Sequence, residues 1–211
     1  GGLDFVMYNI LLMRDEGAFE DGQDWLHVLG VSTPFWAVAL TAIQEGLRHT
    51  NPELKVSFDS SSPFLEGGRF EDVALTPAFG NSTSSWSITK VDAPQKPSYA
   101  DANCTVPFPH QQSPLGKVLK VNELCVQAGT WQNRQYDSVS NALVINHNIW
   151  VYLDAFDRAN DAVFKDPQQS NVPQKYLDAL DVMDEAFVTP NWQALLTKHK
   201  DVLDAVAKSQ Y

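Results

Sequence analysis

The sequence predicts an α/β fold, because helix and strand patterns alternate along the segment that precedes Asp59. Two short apolar runs, at residues 25–31 and 54–58, have the composition of buried parallel strands. Apolar residues at helical spacing precede the first run, and a second helical pattern separates the two runs. The resulting order of helix, strand, helix and strand is typical of a parallel α/β architecture.

The first predicted helix rests on the spacing of Phe5, Tyr8 and Leu12, and Gly17 is suited to end it. Before the second predicted helix, Ser32-Thr33-Pro34 supplies a capping hydroxyl and a proline that fits the first helical turn. The apolar face predicted for this second helix consists of Phe35, Ala39, Ala42, Ile43 and Gly46.

Beyond the strands the chain divides into two further regions. Residues 76–118 are rich in Ser, Thr, Asn and Pro, a composition that favours loops and short strands such as 85–91 over long helices. Residues 119–211 carry repeated helical patterns, the last of which opens at Thr189-Pro190. The earlier patterns consist of Val139, Leu143, Asn146, Ile149, Trp150, Leu153 and Phe156, and of Tyr176, Leu180, Met183 and Phe187. We therefore expect an α/β region at 1–75, a loop-rich insertion at 76–118 and a helical carboxyl-terminal region at 119–211.

The composition is that of an ordinary globular chain, with 44 % hydrophobic and 19 % charged residues among 211. A net charge of −11 argues against an extended, non-specific nucleic-acid surface, but it leaves room for a local pocket that holds one nucleotide. No apolar run approaches the roughly 18 residues of a membrane-spanning helix, so no membrane partner is expected. The first residues lack the basic region of a signal peptide, and two cysteines fit a reducing cytoplasm.

Asp59 is the residue best placed for catalysis, since it directly follows the second predicted strand. The carboxyl ends of strands build the active sites of parallel α/β barrels. A carboxylate at such a position can attack an acetal-like carbon, as in glycoside chemistry. The structural alternative is that Asp59 caps the following segment or forms an Asx-turn with the serines.

Several segments, in this order along the chain, resemble the tRNA-guanine transglycosylase superfamily. Gly1-Gly2-Leu3 stands where the family has a "GGL" turn, and residues 30–34 (Gly-Val-Ser-Thr-Pro) resemble its "GVG-x-P" strand end. Phe58-Asp59 matches the "FD" that ends the next strand, and Gly68-Arg69 follows it. Asn146-His147-Asn148, expected at the head of a long amphipathic helix, is similar to the family's "HN" helix.

This resemblance implies the carboxyl-terminal part of a (β/α)8 TIM-type barrel and a base-exchange reaction. Asp59 is then the nucleophile that displaces guanine from C1′ and forms a covalent glycosyl-enzyme, from which an incoming 7-deazaguanine displaces the aspartate. Arg69 is the implied nucleic-acid contact. The residues implied to bind the nucleobase are Gly1, Gly2, Leu3 and Gly30.

The chain also departs from the family. The family's second acidic residue has no counterpart here, and two strands cannot supply an eight-stranded barrel, so we expect an amino-terminal half of the barrel or a second subunit as partner. The family's cysteine triplet is absent as well. His147 matches the zinc-binding histidine, and a zinc site would have to combine it with Cys104, Cys125 and His110. The simpler expectation is no cofactor, with a packed histidine and two ordinary thiols.

The departures also bear on the substrate. Ser62-Pro63-Phe64 replaces the family's Pro-Thr-Arg, which points to a divergent branch, partly phage-encoded, that modifies DNA instead of tRNA. We therefore expect DNA ahead of tRNA as the acceptor, and a cytoplasmic location, in the host for a phage protein. The alternatives are a non-catalytic binding or assembly subunit that retains part of the barrel, and an unrelated barrel hydrolase that uses Asp59. His27 is expected to be a satisfied core or pocket histidine ahead of a catalytic base.

Overall fold

The computed structural model describes residues 2–20, 22–68, 73–80, 86–92, 103, 105, 107–108, 110–124, 137–165 and 171–208. Within them the chain is a mixture of helices and two short sheets, as an α/β fold requires. No helix in this part of the chain is both long and apolar enough to cross a membrane.

A β–α–β unit confirms the predicted order of the first elements. β1 (Trp25–Val28) and β2 (Lys55–Phe58) pair in parallel, and α2 (Pro34–Arg48) connects them, as parallel strands require. The start of α2 follows the predicted capping chemistry. The Thr33 hydroxyl accepts a hydrogen bond from the Trp36 amide at 3.5 Å, and Pro34 occupies the first turn.

The sheet formed by β1 and β2 is amphipathic. β1 ends at Val28 instead of Val31, and its residues alternate between exposed and half-buried positions, so the prediction of a fully buried strand was wrong. Trp25 and His27 are exposed on one face. The opposite face packs against the core with Leu26, Val28, Val56 and Phe58.

A backbone amide at the outer edge of β2 is hydrogen-bonded to a side chain of α2. Lys55 N donates to Asp24 O on the β1 side at 2.8 Å, so the next amide, Val56 N, points away from β1. Val56 N donates to Gln44 Oε1 of α2 at 2.8 Å. Among the described residues, a helix side chain therefore stands where a neighbouring strand would otherwise accept this hydrogen bond.

α2 packs against α6 (Gln174–Val188), and both predicted helix faces are confirmed. The Phe35 ring stacks on Tyr176 with centroids 4.2 Å apart. A Cβ atom added to Gly46 would lie 2.2 Å from the Phe187 ring, so the two helices approach closely at that point. The buried residues that were predicted to form these faces are Phe35, Ala39, Ala42, Ile43 and Gly46 on α2, and Tyr176, Leu180, Met183 and Phe187 on α6.

α1 (Leu3–Asp15) is confirmed as a helix, but its predicted face was wrong. Its buried residues are Leu3, Met7, Ile10 and Leu11, whereas the predicted set of Phe5, Tyr8 and Leu12 is exposed. Two polar contacts at the end of α1 fix its orientation. Arg14 donates to the Phe187 carbonyl at 2.9 Å, and the Trp192 indole donates to Asp15 at 2.7 Å.

The last predicted helix is two helices, α7 (Trp192–Lys198) and α8 (Lys200–Lys208), which meet at His199. His199 has φ −105° and ψ 19°, outside the helical range. Both helices contribute to the core that contains α1, α2 and α6. Their buried side chains are Trp192, Leu196, Leu203 and Val206.

The remaining elements are α3 (Ser62–Gly68), β3 (Val73–Ala78), β4 (Ser87–Asp92), α4 (Val121–Leu124) and α5 (Ser138–Asn160), which ends in a π-helical turn at Asp161–Lys165. β3 and β4 are neighbours in the second sheet. α5 begins at Ser138 because Asp137 caps it: its carboxylate accepts from Ser140 N at 2.7 Å. His147 therefore lies inside the helix, and its expected position at the helix head was wrong.

Contacts divide the chain into two compact units. The first contains Gly1–Asp59, Phe79–Ser87 and Phe156–Tyr211, and the second contains Ser60–Ala78 and Ile88–Ala155. The regions predicted at 1–75, 76–118 and 119–211 were drawn from composition, which is a different criterion, and they stay predictions. Asp59 is the last residue of the first segment of the first unit.

Gly46→Ala should lower the free energy of unfolding by about 1–2 kcal/mol. The added methyl group would lie 2.2 Å from the Phe187 ring, which puts the cost in the upper half of the roughly 1–3 kcal/mol typical of overpacking. This cost exceeds the ~1 kcal/mol that alanine gains over glycine in a helix. Urea unfolding measures the change. Phe187→Leu in the same chain should recover part of the loss, and exposed Glu45→Ala should cost less than about 0.5 kcal/mol. A Gly46→Ala chain as stable as wild type would contradict this account of the α2–α6 contact.

Candidate functional site at the end of the parallel strands

Asp59 stays attached to the neighbouring strand beyond the last paired residues. Its amide donates to Val28 O at 3.3 Å, and its carbonyl accepts from Val31 N at 2.9 Å. The chain segments that follow β1 and β2 therefore remain side by side. This places Asp59 next to Gly30 at the carboxyl end of the parallel pair.

The Asp59 carboxylate faces two nitrogen atoms across the sheet. Gly30 N donates to Oδ1 at 3.1 Å, and Oδ2 lies 3.7 Å from His27 Nε2. The Asp59 side chain is nonetheless 59 % exposed. An Asx-turn would need the Asp59 carboxylate to accept from Ser61 N, but Oδ1 accepts from Gly30 N, and among the described residues no hydrogen bond joins Asp59 to the serines that follow it.

The backbone conformation at position 30 requires glycine. Its φ is 77°, a value that side chains with a Cβ rarely adopt. No atom lies within 4 Å of the position where a Cβ would stand, so the conformation, and not a lack of space, calls for glycine. The turn that this φ produces directs the Gly30 amide at Asp59.

Two residues of the site, Trp25 and Ser57, were missed by the sequence analysis. The Trp25 indole nitrogen donates to Ser57 Oγ at 2.8 Å, and Ser57 Oγ lies 2.8 Å from His27 Nδ1. The strand register pairs His27 directly with Ser57, which brings both side chains to the open face of the sheet. His27 is satisfied as expected, but it is 45 % exposed and belongs to this open face, so its expected place in a core or pocket was wrong.

The other predicted nucleobase contacts lie elsewhere or cannot be described. Gly2 caps α1, and its carbonyl accepts from Val6 N at 3.2 Å. Leu3 is fully buried in the core of the first unit. Their described contacts are thus with α1 and the core, and none of them is with Asp59. Gly1 and Arg69 lie outside the described residues.

His147 serves a structural role in the second unit. Its Nε2 lies 2.9 Å from the Leu75 carbonyl, which can only accept, so Nε2 carries a proton. Asn148 Oδ1 accepts from Leu75 N at 3.0 Å, so the adjacent side chains satisfy both backbone groups of Leu75. The pKa of His147 is lowered to about 4, mainly because burial disfavours the charged ring. The hydrogen bond to Leu75 O raises the pKa, and the nearby His110 lowers it.

The surroundings of His147 do not fit a zinc ligand. Both ring nitrogens are engaged by the protein, Nε2 by Leu75 O and Nδ1 by Ser113 Oγ at 3.0 Å, and the ring is 1 % exposed. Zinc needs a free nitrogen lone pair on its histidine ligands. Cys104 and Cys125 lie outside the described residues, and among those described no three His, Cys, Asp or Glu side chains are grouped to hold a metal ion.

The candidate site is an open surface. Surface depressions of about 260 and 350 Å³ occur in the first unit, one lined by residues of α1, α7 and α8 and one by Glu20 and residues 50–52. Asp59 lines neither of them. The 59 % exposure of its side chain shows that Asp59 presents its carboxylate to solvent in the described part of the chain.

Comparisons with known proteins do not add to these observations. No protein-family model, no curated protein and no solved structure matched the chain significantly. The residues around Asp59 and their geometry are therefore the basis for a functional proposal.

Gly30→Ala should lower the free energy of unfolding by about 1–2 kcal/mol, because alanine is strained at this positive φ. Gly22→Ala is the matched control, since Gly22 has φ 89° and an equally open Cβ position without a contact to Asp59. In double-mutant cycles with Asp59→Ala, measured by urea unfolding, Gly30 should couple to Asp59 by about 0.5–1 kcal/mol and Gly22 by none. Equal coupling of the two glycines would show that the Gly30–Asp59 hydrogen bond does not form.

The low pKa of His147 should make the second unit sensitive to acid. The unfolded chain takes up a proton near pH 6.5, whereas folded His147 does so only near pH 4. Its contribution to stability is therefore full above about pH 6.5 and is lost as the pH falls toward 4. Linkage gives a loss of about 2 kcal/mol at about pH 5, measurable by urea unfolding.

His147→Gln should remove this difference between pH 7 and pH 5, because glutamine can still donate to Leu75 O and does not titrate. Gln193→Ala, an exposed change on α7 that involves no titratable group, is the control and should keep the wild-type pH dependence. A wild-type chain that loses no more stability in acid than His147→Gln would contradict the buried, neutral histidine.

Proposed function

We propose that the chain is part of a guanine transglycosylase that exchanges guanine in nucleic acid for a 7-deazaguanine base, with Asp59 as the nucleophile. One observation carries this proposal. The Asp59 carboxylate stands at the carboxyl end of a parallel strand pair, oriented through Oδ1 by the Gly30 amide and otherwise accessible. This is the position at which parallel α/β barrels present their catalytic groups.

The reaction consists of two displacements at one carbon. A carboxylate oxygen of Asp59 bonds to C1′ of the nucleotide, and the bond from C1′ to the guanine nitrogen breaks, so the base leaves with the electron pair and takes up a proton. The incoming 7-deazaguanine then gives up a proton, bonds to C1′ through its nitrogen and releases the carboxylate. Protons balance over the exchange, and the two inversions retain the configuration at C1′.

The finer fold that we propose is the carboxyl-terminal part of a (β/α)8 barrel. The two faces of the β1–β2 sheet support it. The face with Leu26 and Val56 packs against the core beside α2, as the outer face of a barrel strand does, and the face with His27 and Ser57 would line the interior. Two strands cannot enclose an interior by themselves, because the barrel needs eight. We therefore propose that further strands come from an amino-terminal half of the barrel or from a second subunit.

DNA is the acceptor that we propose ahead of tRNA, and the cytoplasm, of the host for a phage protein, is the proposed location. The support is the replacement of the family's Pro-Thr-Arg by Ser62-Pro63-Phe64. The surroundings of His147 add to it, because a histidine engaged by Leu75 and Ser113 cannot keep the family's zinc. The proposal therefore includes no cofactor.

Intact-protein mass spectrometry tests the nucleophile. The full chain, alone and with any co-purifying partner, is incubated with guanine-containing DNA or tRNA, quenched and weighed. We expect a nucleic-acid adduct with wild type and none with Asp59→Asn, whose amide cannot attack C1′. Asp24→Asn is the matched control, since Asp24 is exposed at the amino end of β1, where no chemistry is proposed.

Each result has a definite meaning for the proposal. An adduct with DNA alone supports the proposed acceptor, and one with tRNA alone corrects it. An adduct only in the presence of a partner identifies a split enzyme. No adduct under any condition would contradict the transglycosylase and favour a non-catalytic assembly subunit, a function that the openness of the Asp59 site also allows.

A further inference from the structure

A chain of polar contacts leads from Trp25 to the second oxygen of Asp59. Trp25 Nε1 lies 2.8 Å from Ser57 Oγ, which lies 2.8 Å from His27 Nδ1. On the other side of the ring, His27 Nε2 lies 3.7 Å from Asp59 Oδ2. All four side chains belong to the open face of the β1–β2 sheet or to its carboxyl end.

The surroundings of His27 favour one tautomer of its ring. An indole nitrogen only donates, so Ser57 Oγ accepts from Trp25, and it can still either donate to His27 Nδ1 or accept from it. The Asp59 carboxylate, 3.7 Å from Nε2, decides between the two tautomers. A proton on Nδ1 would turn the Nε2 lone pair toward the carboxylate, which is electrostatically unfavourable. The favoured tautomer therefore has Ser57 donating to Nδ1 and an N–H group of His27 directed at Asp59.

We propose that His27 is the positioning residue for Asp59: its Nε2–H, with Ser57 at Nδ1, holds the second carboxylate oxygen and stabilises it each time the carboxylate leaves C1′. This inference rests on the proposed function. The Gly30 backbone amide donates to Oδ1. One carboxylate oxygen therefore faces a backbone donor and the other faces the His27 side chain. The 3.7 Å separation belongs to the free site, and such contacts tighten when substrate is bound.

The position of His27 assigns its action to the carboxylate and not to the departing base. In an in-line displacement, the leaving base stands on the opposite side of C1′ from the attacking oxygen. A donor that contacts the attacking oxygen is therefore on the aspartate side of the reacting carbon. His27 acts most strongly in the second displacement, where the ester oxygen regains its negative charge and a donor lowers the barrier.

The tautomer can be measured without any substrate. Long-range proton–nitrogen spectra of the histidine-labelled chain at mildly alkaline pH, with the His27 signals identified by their loss in His27→Asn, show which nitrogen is protonated. We expect a proton on Nε2 in wild type and a mixture of tautomers in Asp59→Asn. A proton on Nδ1 in wild type would overturn the inference, whether or not the chain catalyses base exchange.

The role is measured by the exchange of isotopically labelled guanine into guanine-containing DNA and tRNA, with the full chain and any co-purifying partner. His27→Asn keeps an amide at the Nδ1 position and loses the donor to Asp59, whereas His27→Gln can place an amide N–H where Nε2 stands. We expect His27→Asn to reduce kcat roughly 10- to 100-fold with little change in KM, as a misplaced reacting group does. His27→Gln should recover a large part of kcat.

Controls separate the two proposals. His49→Gln should leave kcat unchanged, and thermal unfolding should show that the His27 variants stay folded, since this side chain is 45 % exposed. Equal rates for His27→Asn and His27→Gln, or an effect on KM alone, would overturn the positioning role while wild-type exchange upholds the transglycosylase. Absence of exchange and of an Asp59 adduct in wild type would instead remove the proposed function and, with it, the role in catalysis.

Discussion

The candidate site depends on the parallel register of β1 and β2, because every contact of Asp59 crosses from one strand to the other. His27 is paired with Ser57, and the Asp59 backbone bonds to Val28 and Val31 on the neighbouring segment. A slip of one residue would turn each side chain of one strand to the opposite face. It would remove the contact of Asp59 with Gly30 and that of His27 with Ser57 together. Core packing of the apolar face resists such a slip, so the core maintains the geometry of the site.

The sequence predicted best where an element has a single apolar stripe and clear end signals. α2 is capped by Thr33-Pro34 and has such a stripe, and α6 has one as well, so their buried faces were predicted correctly. α1 is apolar on more than one side. Spacing alone did not show that Met7 and not Tyr8 faces the core, because the orientation is fixed by contacts of Arg14 and Asp15 with residues far along the chain.

The buried face of α5, the helix that carries His147, was predicted incorrectly for a related reason. Its buried face includes two polar residues, His147 and Asn148, whose partners are the backbone groups of Leu75. A prediction from the spacing of apolar residues does not find a buried polar pair, because its burial is compensated by hydrogen bonds to a strand that is distant in sequence. The predicted pattern therefore included Leu153, which is exposed, and omitted His147 and Asn148, which are buried.

At the site, the motif identified Asp59 and Gly30, but the strand was taken to be buried on both faces, and this hid Ser57 and Trp25. The period of two along β2, counted back from Asp59, selects Ser57, and the same period along β1 relates Trp25 to His27. An amphipathic parallel strand could therefore have been predicted from the polar residues that alternate with Leu26 and Val28. The cross-strand contacts themselves could not, since they require the register.

The polar face of the β1–β2 sheet is open, and the Asp59 side chain is 59 % exposed. The proposed base exchange requires that both be covered, because water would compete with the incoming base for C1′. Further barrel strands or the nucleic acid itself could supply the cover. The two differ at the outer edge of β2, where Val56 N is bonded to Gln44. A strand that joins this edge must take the Val56 amide from Gln44, whereas nucleic acid lying on the open face leaves that bond intact. The Gln44–Val56 hydrogen bond therefore distinguishes the two: a closed barrel requires that it break, and a nucleic-acid cover lets it remain.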